Sequence, residues 1–112
     1  MVGSTAKKYY LGQGVARLGC AQAVAEALRE PLGLDEAFVN AMAGARGGRA
    51  PHGYCGAVYA AISVAEKKSL DKKALIEEHF MQVAGAVTCR EIRANGKLMC
   101  ADCVEHAANL LG

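Results

Sequence analysis

Five thiols offer this chain more chemistry than any other side chains it has: Cys20, Cys55, Cys89, Cys100 and Cys103. A cysteine attacks or ligates as the thiolate, so the question is what holds each sulfur ionised and which sulfurs meet. Cys100-Ala101-Asp102-Cys103 is a CxxC. On a helix, residues three apart share a face, so these sulfurs can bridge or share a metal. A structural zinc site wants a second CxxC or a His pair at set spacing, and neither is present. Val104 instead of His follows the pair, which excludes covalent c-type haem attachment. A thioredoxin-like motif would follow a strand, and no strand pattern precedes this one.

The cysteines number five in 112 residues, below the roughly 8–10% of a secreted disulfide scaffold. The count is odd, and Met1 to Tyr10 has neither the apolar stretch of a secretory leader nor twin arginines. The expected compartment is the cytoplasm, where thiols bind metal, do redox chemistry or sit buried as small hydrophobes.

Other polar residues are weaker candidates. His52 lies three residues before Cys55, and His106 three after Cys103. His79 reads as a helix-surface residue. Glu77, Glu78 and Glu91 read as solvated helix positions. Gly44 to Gly53 reads as a glycine-rich loop of ten residues. It lacks the Gly-Lys-Ser/Thr of a P-loop and follows no strand. Its glycines suit a close backbone approach that sets the start of the Cys55 helix. Arg46 and Arg49 could stabilise a thiolate from there, or simply face solvent.

The elements that must position these groups read as helices. Ala21, Val24, Ala25 and Leu28 form one face of a helix over Gly19 to Arg29, ended by Pro31 and Gly33. Asp35 caps the next, which carries Phe38, Val39 and Met42. Tyr54 to Ala65 follows, with Val58, Ala61, Ile62 and Ala65 on one side. Ser69 caps a helix whose stripe is Leu75, Ile76, Phe80 and Val83. Thr88 to Glu91 is a capping box for a short helix ended by Asn95-Gly96. A final helix spans Leu98 to Leu111, and residues 1–13 suit a further short one. The expected architecture is a single all-α domain over residues 1–112, a bundle of about five to six short helices built from αα-hairpins. Cys20, Cys55 and Cys89 fall at helix starts, where the dipole and unpaired N–H groups favour thiolate. The Cys20 and Cys55 segments echo each other at a spacing of 35 residues. A real duplication would give a pseudo-two-fold that brings those two sulfurs together.

Composition narrows the partners. Thirteen basic against eleven acidic residues give +2, too even for a nucleic-acid footprint. No run of 18 apolar residues exists, so no membrane span is expected. The chain has 22 alanines and no Trp, which suits closely packed helices with few bulky anchors.

Gly19-Cys20-Ala21-Gln22-Ala23-Val24, the later Gly-Gly loop and Cys55-Gly56-Ala57 resemble the redox-active C_GCAxxG_C_C family. Cys89-Arg90-Glu91 after a Phe80-bearing helix and Cys100 with Val104 extend the resemblance across residues 6–111. It implies four site cysteines, Cys20, Cys55, Cys89 and Cys100, with Cys103 additional or exchanging places with Cys100. Ala60 stands where the family's CGAxxG motif ends in Gly. A related domain in split-Soret cytochromes implies an iron–sulfur cluster as a further option, with those four cysteines as ligands. Three functions follow. The first is thiol–disulfide exchange, as an enzyme a thiol–disulfide oxidoreductase working with a redox partner protein. The second is electron transfer through a four-cysteine iron–sulfur cluster, although spacings of 35, 34 and 11 match no ferredoxin run. The third is a helical binding module with inert thiols. A homodimer is compatible with all three.

Overall fold

The computed structural model describes residues 2–14, 17–45 and 50–111. Seven α-helices account for most of these residues: α1 (Val2–Leu11), α2 (Cys20–Leu32), α3 (Glu36–Ala41), α4 (Gly56–Lys67), α5 (Lys73–Val83), α6 (Cys89–Asn95) and α7 (Cys100–Leu111). Two 3-10 turns, Met42–Gly44 and Pro51–Gly53, join them. Among the described residues there is no strand, only an isolated bridge between Tyr54 and Thr88. The fold is all-α as expected. The helix count exceeds the expected five to six because the N-terminal segment forms a full helix.

Local chemistry explains most boundaries. Asp35 Oδ1 accepts the Phe38 N–H at 2.7 Å and starts α3. Thr88 Oγ1 accepts the Glu91 N–H at 3.3 Å, the N-cap half of the expected capping box, and its hydroxyl donates to the Glu91 carboxylate at 2.8 Å. Pro31, expected to stop α2, lies inside its last turn. Termination falls to Gly33, whose left-handed φ of 65° lets its N–H reach the Arg29 and Glu30 carbonyls. Ser69, expected to cap α5, instead takes a φ of 57° in the preceding turn, and Lys72 is the residue before α5.

Helices α2, α4 and α7 pack on one another, α1 lies across α7 and α2, α3 folds back on α2, and α5 on α4. Small side chains make up much of the core: Ala21, Ala25, Ala57, Ala61, Ala65 and Ala107 are all fully buried. Ala60 is fully buried too, so the methyl that replaces the family's glycine is part of the core. Phe80, Leu28, Ile76 and the valines 24, 58, 64 and 104 fill the larger gaps. Burial of each such side chain stabilises by about 1.5–3 kcal/mol. The expected stripes of α2 and α4 face inward throughout. On α5, Ile76 and Phe80 do so, but Leu75 is 51% exposed. The two hairpins that echo each other are unequal, since α3 has 6 residues and α5 has 11.

Candidate thiol site

Helix starts, read from the sequence as thiol positions, converge. Cys20 opens α2, Cys55 immediately precedes Gly56 at the start of α4, Cys89 opens α6 and Cys100 opens α7. All four line one cavity of about 360 Å³, whose wall also includes Tyr10, Arg17, Gly56 and Arg93. Gly56 explains how α2 and α4 come so close. A Cβ there would overlap the Cys20 sulfur and the Ala45 carbonyl oxygen, so only glycine lets the two helix starts meet. The Cys55 backbone N–H donates to the Val87 carbonyl at 2.8 Å, which ties the start of α4 to the segment before α6.

Cys103 is absent from that wall. It lies one turn along α7, 1% exposed, against the inner side of Cys55. The Cys103 thiol donates to the Cys55 sulfur, and this is the largest influence that lowers the Cys55 thiol from 9.0 to about 7. Burial opposes the shift. The backbone N–H groups of Val58 and Ala57, unpaired in the first turn of α4, and the positive charge of Arg93 support it. The same contact pushes the Cys103 thiol far up, with burial acting in the same direction. One sulfur of the pair therefore takes the charge and the other keeps the proton.

Cys89 departs from expectation. It stands at a helix start, yet its thiol is raised, because burial outweighs the pull of Arg93, and Cys55 and Cys100 add repulsion. Arg93 itself donates to the Cys100 sulfur, which raises the guanidinium further. Across the cavity the Tyr10 phenol is raised by burial and by Cys100, so it remains a proton donor at neutral pH. Arg17 donates from Nε to the Tyr10 carbonyl at 3.1 Å and lies over that ring at 5.5 Å. No disulfide closes among the described residues.

The remaining candidates sit elsewhere. His79 Nε2 and His106 Nδ1 are 2.9 Å apart, joining α5 to α7 instead of serving a thiol. His79 is thus half-buried, not a plain surface residue. Glu77, expected to be solvated, accepts from the Tyr54 hydroxyl at 2.6 Å. His52 is exposed, with a φ of 61°, in the turn before Cys55. Arg46 and Arg49 lie outside the described residues.

Sequence reasoning missed Arg17, Arg93 and Tyr10. The signal for Arg93 was present: it follows Cys89 by four residues, one turn along the same helix.

Four cysteines around one cavity are the donor type of an iron–sulfur cluster. Their placement is less suitable: no three His, Cys, Asp or Glu side chains among the described residues converge as a metal ion requires. No helix among the described residues is long and apolar enough to cross a membrane.

No curated protein and no solved structure matches the chain. Residues 18–112, beginning just before Cys20 and including all five thiols, match the family described as "Putative redox-active protein (C_GCAxxG_C_C)", and the chain belongs to that family.

Proposed function

We propose that the protein performs thiol–disulfide exchange, with Cys55 as the attacking sulfur and Cys103 as the resolving one. The observation that carries this reading is the contact between two buried thiols, Cys55 on the cavity wall and Cys103 behind it, which lowers the Cys55 thiol to about 7 and raises the Cys103 thiol. A thiol whose pKa lies near ambient pH is the best attacking group. The Cys55 thiolate attacks one sulfur of a substrate disulfide, forming a mixed disulfide and releasing the other half as thiolate. The Cys103 sulfur then attacks Cys55 Sγ and its proton goes to the departing substrate sulfur. The products are a Cys55–Cys103 disulfide and two substrate thiols, one leaving as thiolate. A dithiol reductant restores the reduced form by the reverse exchange, its own two thiols leaving as a disulfide. Cys20, Cys89 and Cys100 share the cavity and are the further sites at which a disulfide could be passed on.

The second reading, electron transfer through a four-cysteine iron–sulfur cluster, draws on the four cysteines of the cavity wall. The lack of convergence at metal-ligand distances counts against it, so no step is derived through a cluster.

Both readings meet in one experiment. The protein is purified anaerobically, assayed for iron and acid-labile sulfide, and titrated with a disulfide while peptide mapping locates each bridge. The exchange reading expects no stoichiometric iron, a first bridge between Cys55 and Cys103, and no reaction in Cys55→Ser. Stoichiometric iron and sulfide overturn it in favour of the cluster. Five thiols inert under native conditions overturn both and leave a binding module.

A further inference from the structure

The cavity has positive charge around it that no carboxylate of its described wall balances. Three helices of 12 or 13 residues, α2, α4 and α7, begin at its wall, each turning the positive end of a dipole toward it, and the first-turn N–H groups of Ala57 and Val58 on α4 already serve Cys55. Arg17 and Arg93 add two guanidinium groups. Neither forms an ion pair with a carboxylate among the described residues, where the basic partners of Asp and Glu are Lys7 and Arg29. Arg17 donates from Nε to the Tyr10 carbonyl and also serves the Tyr10 hydroxyl, and a guanidinium, with five donors in all, has others to offer. The described wall includes no Asp or Glu. The acid within the CxxC, Asp102, is paired with Lys7 at 3.2 Å.

Among the thiols of the wall, Cys55 is lowered toward neutral pH and Cys89 is raised. Two guanidinium groups with no carboxylate partner, on a described wall without Asp or Glu, leave the cavity a surplus of positive charge. The surplus is what an anionic ligand would meet. At about 360 Å³, the cavity lies at the small end of ligand pockets, which run from about 300 to 1,000 Å³. That volume admits a small molecule and no folded chain.

We infer that the cavity binds a small carboxylate-bearing disulfide, its acid groups held by Arg17 and Arg93 and its S–S bond presented to Cys55. This rests on the exchange reading for its chemistry and adds the substrate class. The step is the one written above: the Cys55 sulfur bonds to one substrate sulfur, the substrate S–S bond breaks, and the other half leaves with the electron pair as an anionic thiolate.

The test uses the reduced full chain and three disulfides of different charge: oxidised glutathione (anionic), bis(2-hydroxyethyl) disulfide (neutral) and cystamine (cationic). Each rate of protein oxidation is divided by that disulfide's rate with 2-mercaptoethanol, which removes intrinsic reactivity. The normalised rate should be on the order of tenfold or more higher for the anionic than for the cationic disulfide at low salt. The gap should collapse in Arg17→Gln/Arg93→Gln, and partly in Arg17→Gln alone, a substitution at an exposed position outside the helices. Binding of S-methylglutathione, which has no disulfide, is followed in parallel by amide NMR shifts in wild type and both variants. Normalised rates that ignore charge, together with binding unaffected by the substitutions, overturn the site while leaving exchange intact. Arginine-dependent binding of S-methylglutathione without oxidation by any of the three disulfides upholds the site and overturns exchange.

Discussion

Cys103 never meets the cavity, and its influence is expected to appear at a different residue. Its S–H is the largest single cause of the low Cys55 value. Removing that donor leaves burial, which disfavours the thiolate, opposed only by two backbone N–H groups and Arg93. Cys103→Ala should therefore move the midpoint of Cys55 alkylation from about 7 back toward the ordinary 9.0. Cys103→Ser, which retains an O–H donor, should move it less. The check is the pH dependence of iodoacetamide labelling at Cys55, read by peptide mapping. An unmoved midpoint in the alanine variant would show that the helix start and Arg93 suffice. Cys89 teaches the complementary lesson. A short helix start gives a modest field, and at Cys89 burial outweighs it.

Between α2 and α4, the spacing of the elements rests on a missing side chain. A methyl at Gly56 would meet the Cys20 sulfur and the Ala45 backbone oxygen. The sulfur can rotate, but the carbonyl is backbone and yields only if a segment shifts. Gly56→Ala should then destabilise the fold by about 1–3 kcal/mol, the usual range for overpacking a tight core. It should also change the labelling rate of Cys20. Urea unfolding and thiol mapping on the same variant test this, and an unchanged urea midpoint would mean that the helices separate without cost. How much of this arrangement could be read in advance depends on range. Periodicity revealed α2 and α4 because their inward stripes are uninterrupted, and local side-chain caps revealed the starts of α3 and α6. Ser69 misled because a serine can occupy the turn itself, and Pro31 because a last turn tolerates the loss of one N–H bond. The thiol positions at helix starts were legible from local signals. The Cys55–Cys103 contact was not, because nothing local to either residue encodes which face of α7 meets α4. Arg46 and Arg49 drew attention through glycine-rich surroundings, while Arg93 made its contact from one helical turn beyond Cys89.

For the molecule as a whole, two pairs should set how stability varies with pH, from opposite ends of the neutral range. His79 and His106 join α5 to α7 at 2.9 Å, and the His79 value is lowered, first by burial and then by its partner's charge. A base lowered on folding binds its proton more readily when unfolded, so stability falls as pH drops through the range below 6.5. Cys55 acts higher up. Its folded value near 7 lies below the ordinary 9.0, so between these limits the unfolded chain retains a proton that the native chain has lost. Stability therefore rises with pH across that window, with a slope of at most about 1.4 kcal/mol per pH unit. Above the window the raised Cys89 and Cys103 thiols reverse the trend, because unfolding lets them ionise. Thermal unfolding of the reduced protein should thus shift upward from pH 5 to about 9 and then decline. Cys55→Ser should flatten the upper rise and leave the acid limb, whereas His79→Gln should flatten the acid limb alone. Melting curves across pH for the three proteins separate the contributions. A Cys55→Ser profile that still climbs between pH 7 and 9 would mean that the folded chain does not hold Cys55 as the thiolate, and the exchange reading would lose its nucleophile.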